Sequence, residues 1–305
     1  MIRSRGTAVA TALLLAALAT AGCGLGPGAD VGAVELTVTR DYGSVPMLER
    51  SVEANESDTV MRVLEGNAEI SARYGGGYVQ AIEGVEEAQL GGRPLDWFFY
   101  VDGVESPVGA ADYELRGGER IWWDYRDWAA TNHVPAVVGS WPAPFVAGYE
   151  GKEHPVAVEC RGGGGSCALA RQALEDVGAV VAAGSPPRAI RILVGPWARL
   201  RSDPAAALIE SGPAESGVFA DFERRRGGYA LRGLDRTGVA VQDFAPDAGF
   251  VAATRRYEAP PVWVVTGATP AAVRAAAGLL SAAELRDHYA VASEDGKETP
   301  LPVTR

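Results

Sequence analysis

The cleanest alternation in the chain is Val34-Glu35-Leu36-Thr37-Val38-Thr39, apolar at every second position, and it predicts a half-buried strand. Val60, Val63 and Leu64 then recur at helical spacing. They predict a short helix from Thr59 to about Glu65, capped by Ser57 or Asp58. Strand-like runs follow at Tyr78–Ile82 and Trp97–Val101, and Asp102-Gly103 directly after the second is a hairpin signal. Tyr113 to Leu115 leads through Gly117-Gly118 into another strand-like run, Arg120–Tyr125. Residues 34–130 therefore predict a β-rich, α+β first domain. Residues 131–153, punctuated by Pro135, Gly139, Pro142, Pro144, Gly148 and Gly151, predict a linker. Its Trp141 and Phe145 point to packing against something.

From residue 154 to 292 apolar strands alternate with helices. Strands are predicted at Pro155–Cys160, Ala189–Val194 and Val262–Thr266, and helices at Ser166 to about Val177, after Asp203-Pro204, and after Thr269-Pro270. Val218–Phe222 and Tyr229–Leu234 flank Arg224-Arg225-Arg226-Gly227-Gly228, which predicts a hairpin with a solvated tip. This is the pattern of an α/β domain. Residues 293–305 predict a polar tail.

The first 22 residues have another character. Arg3 and Arg5 precede an uncharged run from Ala8 to Ala21, too short for a comfortable membrane span and typical of a signal peptide. The run ends in Ala19-Thr20-Ala21-Gly22-Cys23, which resembles the lipobox of bacterial lipoproteins. That resemblance implies cleavage before Cys23, acylation of its thiol and anchorage on the extracytoplasmic face of a cell membrane. Residues 23–33, rich in glycine, would be the tether. Charge narrows the partners further. With 28 basic and 39 acidic residues the chain carries −11, and a nucleic-acid partner is excluded on that ground. The remaining cysteines are Cys160 and Cys167. In an exported chain a disulfide is the default for such a pair; a metal site, with His154 nearby, is the alternative.

A family resemblance rests on Trp97-Phe98-Phe99-Tyr100-Val101-Asp102-Gly103, on Tyr113-x-Leu115, and on Gly118-Glu119-Arg120-Ile121-Trp122-Trp123-Asp124-Tyr125. Tyr74-Gly75-Gly76-Gly77-Tyr78-Val79-x-x-Ile82-x-Gly84 adds to it. Residues 34 to 128 resemble the transcobalamin-like C-terminal domain of bacterial surface proteins, with Asp102 where that family has Asn and Glu119 where it has Asp. The resemblance implies a β-grasp-like fold and makes cobalamin a candidate ligand. No family is recognised in residues 154 to 292.

Neighbours in a strand point to opposite faces, so Trp97 and Phe99 share one face, Phe98 and Tyr100 the other, and Trp122 and Trp123 divide in the same way. One face packs on the short helix. The other is either covered by the linker or the second domain, or open as a binding platform. Tyr78, Trp97, Phe99, Tyr100, Trp122, Trp123 and Tyr125 are the candidate ligand contacts. Gly162-Gly163-Gly164-Gly165 lies between a strand and a helix but matches no phosphate-binding signature, and constrained loop closure is the better reading. No G-x-S-x-G is present. Asp235, Asp243 and Asp247 read as solvated loop carboxylates, and His133, His154 and His288 are scattered.

These features together predict a non-catalytic, lipid-anchored binding protein. It would capture a small molecule such as a cobalamin-like nutrient, or dock on a membrane transporter. The competing expectations are an envelope- or glycan-acting enzyme with its site in the second domain, tested at His154 and Asp235, and a structural adhesion protein.

Overall fold

The computed structural model describes residues 28–73 and 77–304. The signal segment, Cys23 and Tyr74-Gly75-Gly76 lie outside the described residues.

The first half begins with β1 (Asp30–Arg40) and β2 (Val45–Asn55), followed by α1 (Val60–Asn67). The strand starts inside the segment expected to be tether. Thr59 caps α1, its hydroxyl accepting from the Arg62 amide at 3.3 Å, while Asp58 accepts from the Asn55 amide instead. A small sheet of β3 (Ile70–Arg73), β4 (Tyr78–Ile82) and β5 (Val85–Glu86) comes next. Then come β6 (Ala88–Leu90), β7 (Arg93–Val101), β8 (Val104–Glu105) and β9 (Arg120–Asp127). The main sheet runs β2-β1-β9-β7-β6, with β8 paired to β7. Only β1 and β9 pair in parallel within it. Asp102 (φ 51°) and Gly103 (φ 78°) turn β7 into β8 with both residues left-handed, as the sequence signal requires.

β1 departs from the half-buried strand its alternation predicts. Val34, Leu36 and Val38 face α1, but Thr37 and Thr39 on the other side are buried as well. Glu35 stays exposed, but the polar face is covered from Thr37 onward by the rest of the chain.

The expected linker is an inserted, packed segment. Val134, Val137, Val138, Trp141 and Phe145 are all buried; Trp141, just before the short α2 (Ala143–Val146), and Phe145 within it pack against Trp263. Its backbone touches both halves: the Val137 amide donates to Gly103 O and the Val138 amide to Tyr289 O.

The second half contains β10 (Val156–Cys160), α3 (Gly165–Asp176), β11 (Ile190–Val194) and α4 (Trp197–Leu200). A 3-10 turn at Ala206–Ser211 stands where a helix after Asp203-Pro204 is expected; the Asp203 carboxylate takes the Ala205 amide as at a helix start, but the left-handed Gly212 (φ 83°) and Pro213 end the segment after six residues. α5 (Pro213–Ser216) leads to a three-stranded sheet of β12 (Ala220–Arg225), β13 (Gly228–Leu234) and β14 (Ala240–Asp243). The chain ends with β15 (Gly249–Thr254), β16 (Val262–Gly267), α6 (Pro270–Gly278), α7 (Ala282–Leu285), β17 (Ala290–Glu294) and β18 (Lys297–Leu301). The large sheet runs β10-β11-β16-β15-β17-β18, parallel across its first three strands and antiparallel beyond. The expected polar tail is therefore partly an edge strand, with Leu301 buried.

Cys160 and Cys167 are disulfide-bonded, closing the four-glycine loop. A Cβ on Gly162 would lie 2.4 Å from the Arg199 guanidinium, so the glycine admits a close side-chain approach. α3 and α6 cover one face of the large sheet. The other face packs on the β12–β14 layer and on the first half. The chain mixes helices with several sheets, as an α+β fold does; the α/β alternation expected of the second half holds across the parallel strands β10, β11 and β16 and gives way to antiparallel pairing beyond them.

Candidate functional site

The ring-bearing strands build a closed seam. On the α1 side, Trp97, Trp123 and Tyr125 are buried, and Phe99 stacks on Trp123 at 4.9 Å. Trp97 Nε1 donates to Val85 O at 3.0 Å and Tyr125 Oη to Glu86 O at 2.7 Å. The Oη of half-buried Tyr78 lies within hydrogen-bond distance of the carboxylates of Glu87 and Asp96 and donates its one proton between them. On the opposite face, Tyr100 and Trp122 are fully buried against the second half. The Tyr289 ring lies 5.7 Å from Tyr100, 5.3 Å from Trp122 and 5.0 Å from Tyr42, all edge-on. The open platform allowed by the strand pattern is thus corrected. The second half fills that face, because a sheet with large rings on both sides needs cover on both.

Asp124 is the polar centre of the seam. It is fully buried and accepts from Thr39 Oγ1 (2.6 Å), Tyr289 Oη (3.0 Å) and the amides of Tyr42 (3.0 Å) and Gly43 (3.1 Å). Burial pushes its carboxyl up to about 6 against the pull of these donors. Trp122 Nε1 donates to Thr39 Oγ1 at 2.8 Å, and Tyr100 Oη to Tyr289 Oη at 3.2 Å. The buried Arg126 guanidinium sits 3.7 Å over the Phe98 ring and donates to Thr131 O at 2.9 Å. Arg120 bridges to Asp287 of the second half and donates to Gly139 O at 2.7 Å. A Cβ on Gly43 would fall 1.7 Å from Asp287 O, which shows how closely the two backbones approach. Across the seam itself, Tyr100 and Asp124 reach Tyr289 and Arg120 reaches Asp287.

Open space lies elsewhere. A cleft of about 580 Å³ is bounded by Val31, Glu56, the loop Pro107–Arg116 and the Glu150-Gly151 turn. Tyr113 and Leu115 form its floor, and both are buried. The loop is pinned to α1: the Val60 amide donates to Tyr113 O at 3.1 Å, Met61 to Ala110 O at 2.9 Å, and the Leu115 amide to Asp58 O at 3.1 Å. Tyr113 Oη and the Arg116 amide both donate to Glu119, at 3.0 and 2.8 Å. Burial raises the Tyr113 phenol and the Glu119 carboxyl above their usual ranges. Around the mouth stand Glu56, Asp112, Glu114 and Glu150 against one guanidinium, Arg116. Glu150 also pairs with Arg255 at 2.6 Å, and Glu56 accepts from the Ala29 amide at 3.2 Å. Asp112 and Glu114 are exposed. A pre-formed cleft of this size suits a small molecule, and its charge balance favours a cation.

The catalytic candidates are engaged separately. Asp235 accepts from the Thr237 and Val239 amides, at 2.9 and 3.1 Å, in a turn, and Asp243 pairs with Arg225 at 3.1 Å. Asp247 is exposed. His133 pairs with Glu105, His154 stacks on Tyr149 at 4.2 Å, and burial lowers the pKa of His288. Among the described residues no group of three His, Cys, Asp or Glu side chains is placed to hold a metal ion, and no helix is long and apolar enough to cross a membrane. Sequence reasoning missed the cleft because its walls come from four separated segments.

Residues 57–127 match the model of a family described as a domain of unknown function (DUF4430). No curated protein matches the chain. Among solved structures, the chain is similar to a protein from Ruminococcus gnavus ATCC 29149 described as "a putative metal binding protein". The identity is 13%, over 32% of this chain and 97% of that one, with a TM-score of 0.24.

Proposed function

We propose that this chain is a non-catalytic binding protein, held at the outer face of a cell membrane by acyl chains on Cys23, and that its ligand enters the cleft over Tyr113. The observation that carries this reading is the cleft itself. Four carboxylate residues and one arginine border it, and two of those carboxylates, Asp112 and Glu114, stand with Arg116 on a loop fastened to α1 by backbone hydrogen bonds. Its ligand is a small molecule bearing a positive charge. Loop rigidity favours affinity, since little order is lost on binding.

The first half is read as β-grasp-like, with α1 lying on a sheet whose β1 and β9 pair in parallel. The transcobalamin-like motifs agree with that reading. Cobalamin is a poor fit, because a corrinoid exceeds a cleft suited to drug-sized ligands. The tether rests on the lipobox-like Cys23 and raises the local concentration of the site at the membrane. A transporter is the natural partner for a tethered capture protein.

Calorimetric titration of a soluble Cys23→Ser form with basic amino acids, polyamines, quaternary amines, neutral sugars and cobalamin tests the reading. At least one cationic class should bind, and Asp112→Asn with Glu114→Gln should weaken it about tenfold. Failure of every cationic class, or undiminished binding by the double variant, would overturn it.

A further inference from the structure

A second cavity, of about 360 Å³, opens where β11 and β16 begin. Its charge is the reverse of the first. Arg188, Arg191 and Arg256 line it, with prolines, alanines and a valine, and no acidic residue does so. In a chain of net charge −11 that local concentration of guanidinium groups is against the average.

The three arginines differ in what they already hold. Arg191 is locked: its Nη1 lies 2.8 Å from buried Asp203 and 3.3 Å from Glu159, and the same two carboxylates also take Arg161. These four charges balance one another. Arg188 and Arg256 are exposed, and neither has an acidic partner within ion-pair distance among the described residues. The backbone carrying Arg256 is fixed from both sides. Buried Arg255 donates to Ala259 O at 2.8 Å and pairs with Glu150, and the Ala259 amide closes onto Arg256 O at 3.0 Å. Beside it stands Tyr257, 90% exposed, its ring 5.9 Å from the Arg256 guanidinium. A tyrosine left that bare next to uncompensated arginines is free to stack on a ligand ring.

We propose that this cavity binds an anionic ligand, a phosphate or carboxylate seated between Arg188 and Arg256, with an attached sugar-like ring resting on Tyr257. Guanidinium forks are matched to such oxyanions and take them bidentately. The neutral Arg191–Asp203 cluster forms the wall behind them. This site shares no lining residue with the acidic cleft, although the Arg255–Glu150 pair joins the segment that carries Arg256 to the cleft's rim.

The Cys23→Ser chain is titrated with inorganic phosphate, glucose 1-phosphate, glucuronate and glucose, at matched ionic strength. Both phosphates and glucuronate should bind and glucose should not. Arg188→Gln with Arg256→Gln should lose at least about tenfold in affinity, with an unchanged circular dichroism spectrum. Tyr257→Ala should weaken glucose 1-phosphate several-fold and leave inorganic phosphate unaffected. A second arm uses vesicles of phosphatidylglycerol or of phosphatidylcholine. Vesicle binding that needs phosphatidylglycerol and disappears in the double arginine variant assigns the phosphate to a lipid headgroup. Absence of binding in both arms, or equal binding by the double variant, would overturn the site.

Discussion

Asp124 and Glu114 are carboxylates ten positions apart that meet opposite fates. Asp124 sits in a seam where four donors, three tyrosines and a tryptophan leave no access for solvent. Glu114 stands at the mouth of a cleft, exposed, on a loop whose backbone is fastened but whose carboxylate is open. Both regions combine acid and phenol. What separates them is cover: the second half closes over β7 and β9, and nothing among the described residues closes over the Pro107–Arg116 loop. Aromatic content alone therefore does not mark a binding face.

The sharpest way to break this contrast is to open the seam. Asp124→Ala leaves the Thr39 and Tyr289 hydroxyls and the Tyr42 and Gly43 amides without their acceptor, and should cost about 4 kcal/mol, read as a lower urea midpoint.

Titration sharpens it next. The folded Asp124 carboxyl is raised from 3.8 to about 6, so the folded state holds a proton that the unfolded state has released between those values. Its contribution is fully present below about pH 4 and is lost as pH rises through about 6, an effect of up to roughly 3 kcal/mol. Unfolding followed from pH 4 to 7 should show this decline against the background of other groups, and Asp124→Asn should flatten it.

Removing the Cys160–Cys167 bond tests a region outside both. Cys160→Ser with Cys167→Ser should lower stability by about 2 kcal/mol, given the short loop it closes. Affinity in the cleft should not change. The smallest effect belongs to the cleft. Glu114→Gln should shift stability by less than about 0.5 kcal/mol in the same unfolding assay.

Much of the frame was legible in the chain. The Asp102-Gly103 hairpin, the Thr269-Pro270 helix start, α3 and the disulfide all follow from local chemistry. Legibility ended where tertiary cover decides. β15 and β17 are buried on both faces and show no alternation to read. Lys297–Leu301 has a polar sequence and is a strand only because β17 offers it an edge. Thr37 and Thr39 look solvent-facing in the pattern and are buried by residues far along the chain. The strand period divides the rings at 97–101 and 120–125 between two faces, but what covers Tyr100 and Trp122, Tyr289 among it, comes from far along the chain. The cleft was invisible, since Val31, Glu56, Glu114 and Glu150 meet only in the folded chain.

Hydroxyl-radical footprinting of the chain, with and without the tightest-binding cation, tests the central claim most directly. The account predicts that Tyr100, Trp122 and Tyr289 stay unlabelled in both states while Pro107–Arg116 becomes protected by the ligand. Labelling of Tyr100 and Trp122 in the free chain, abolished when the ligand is added, would contradict it.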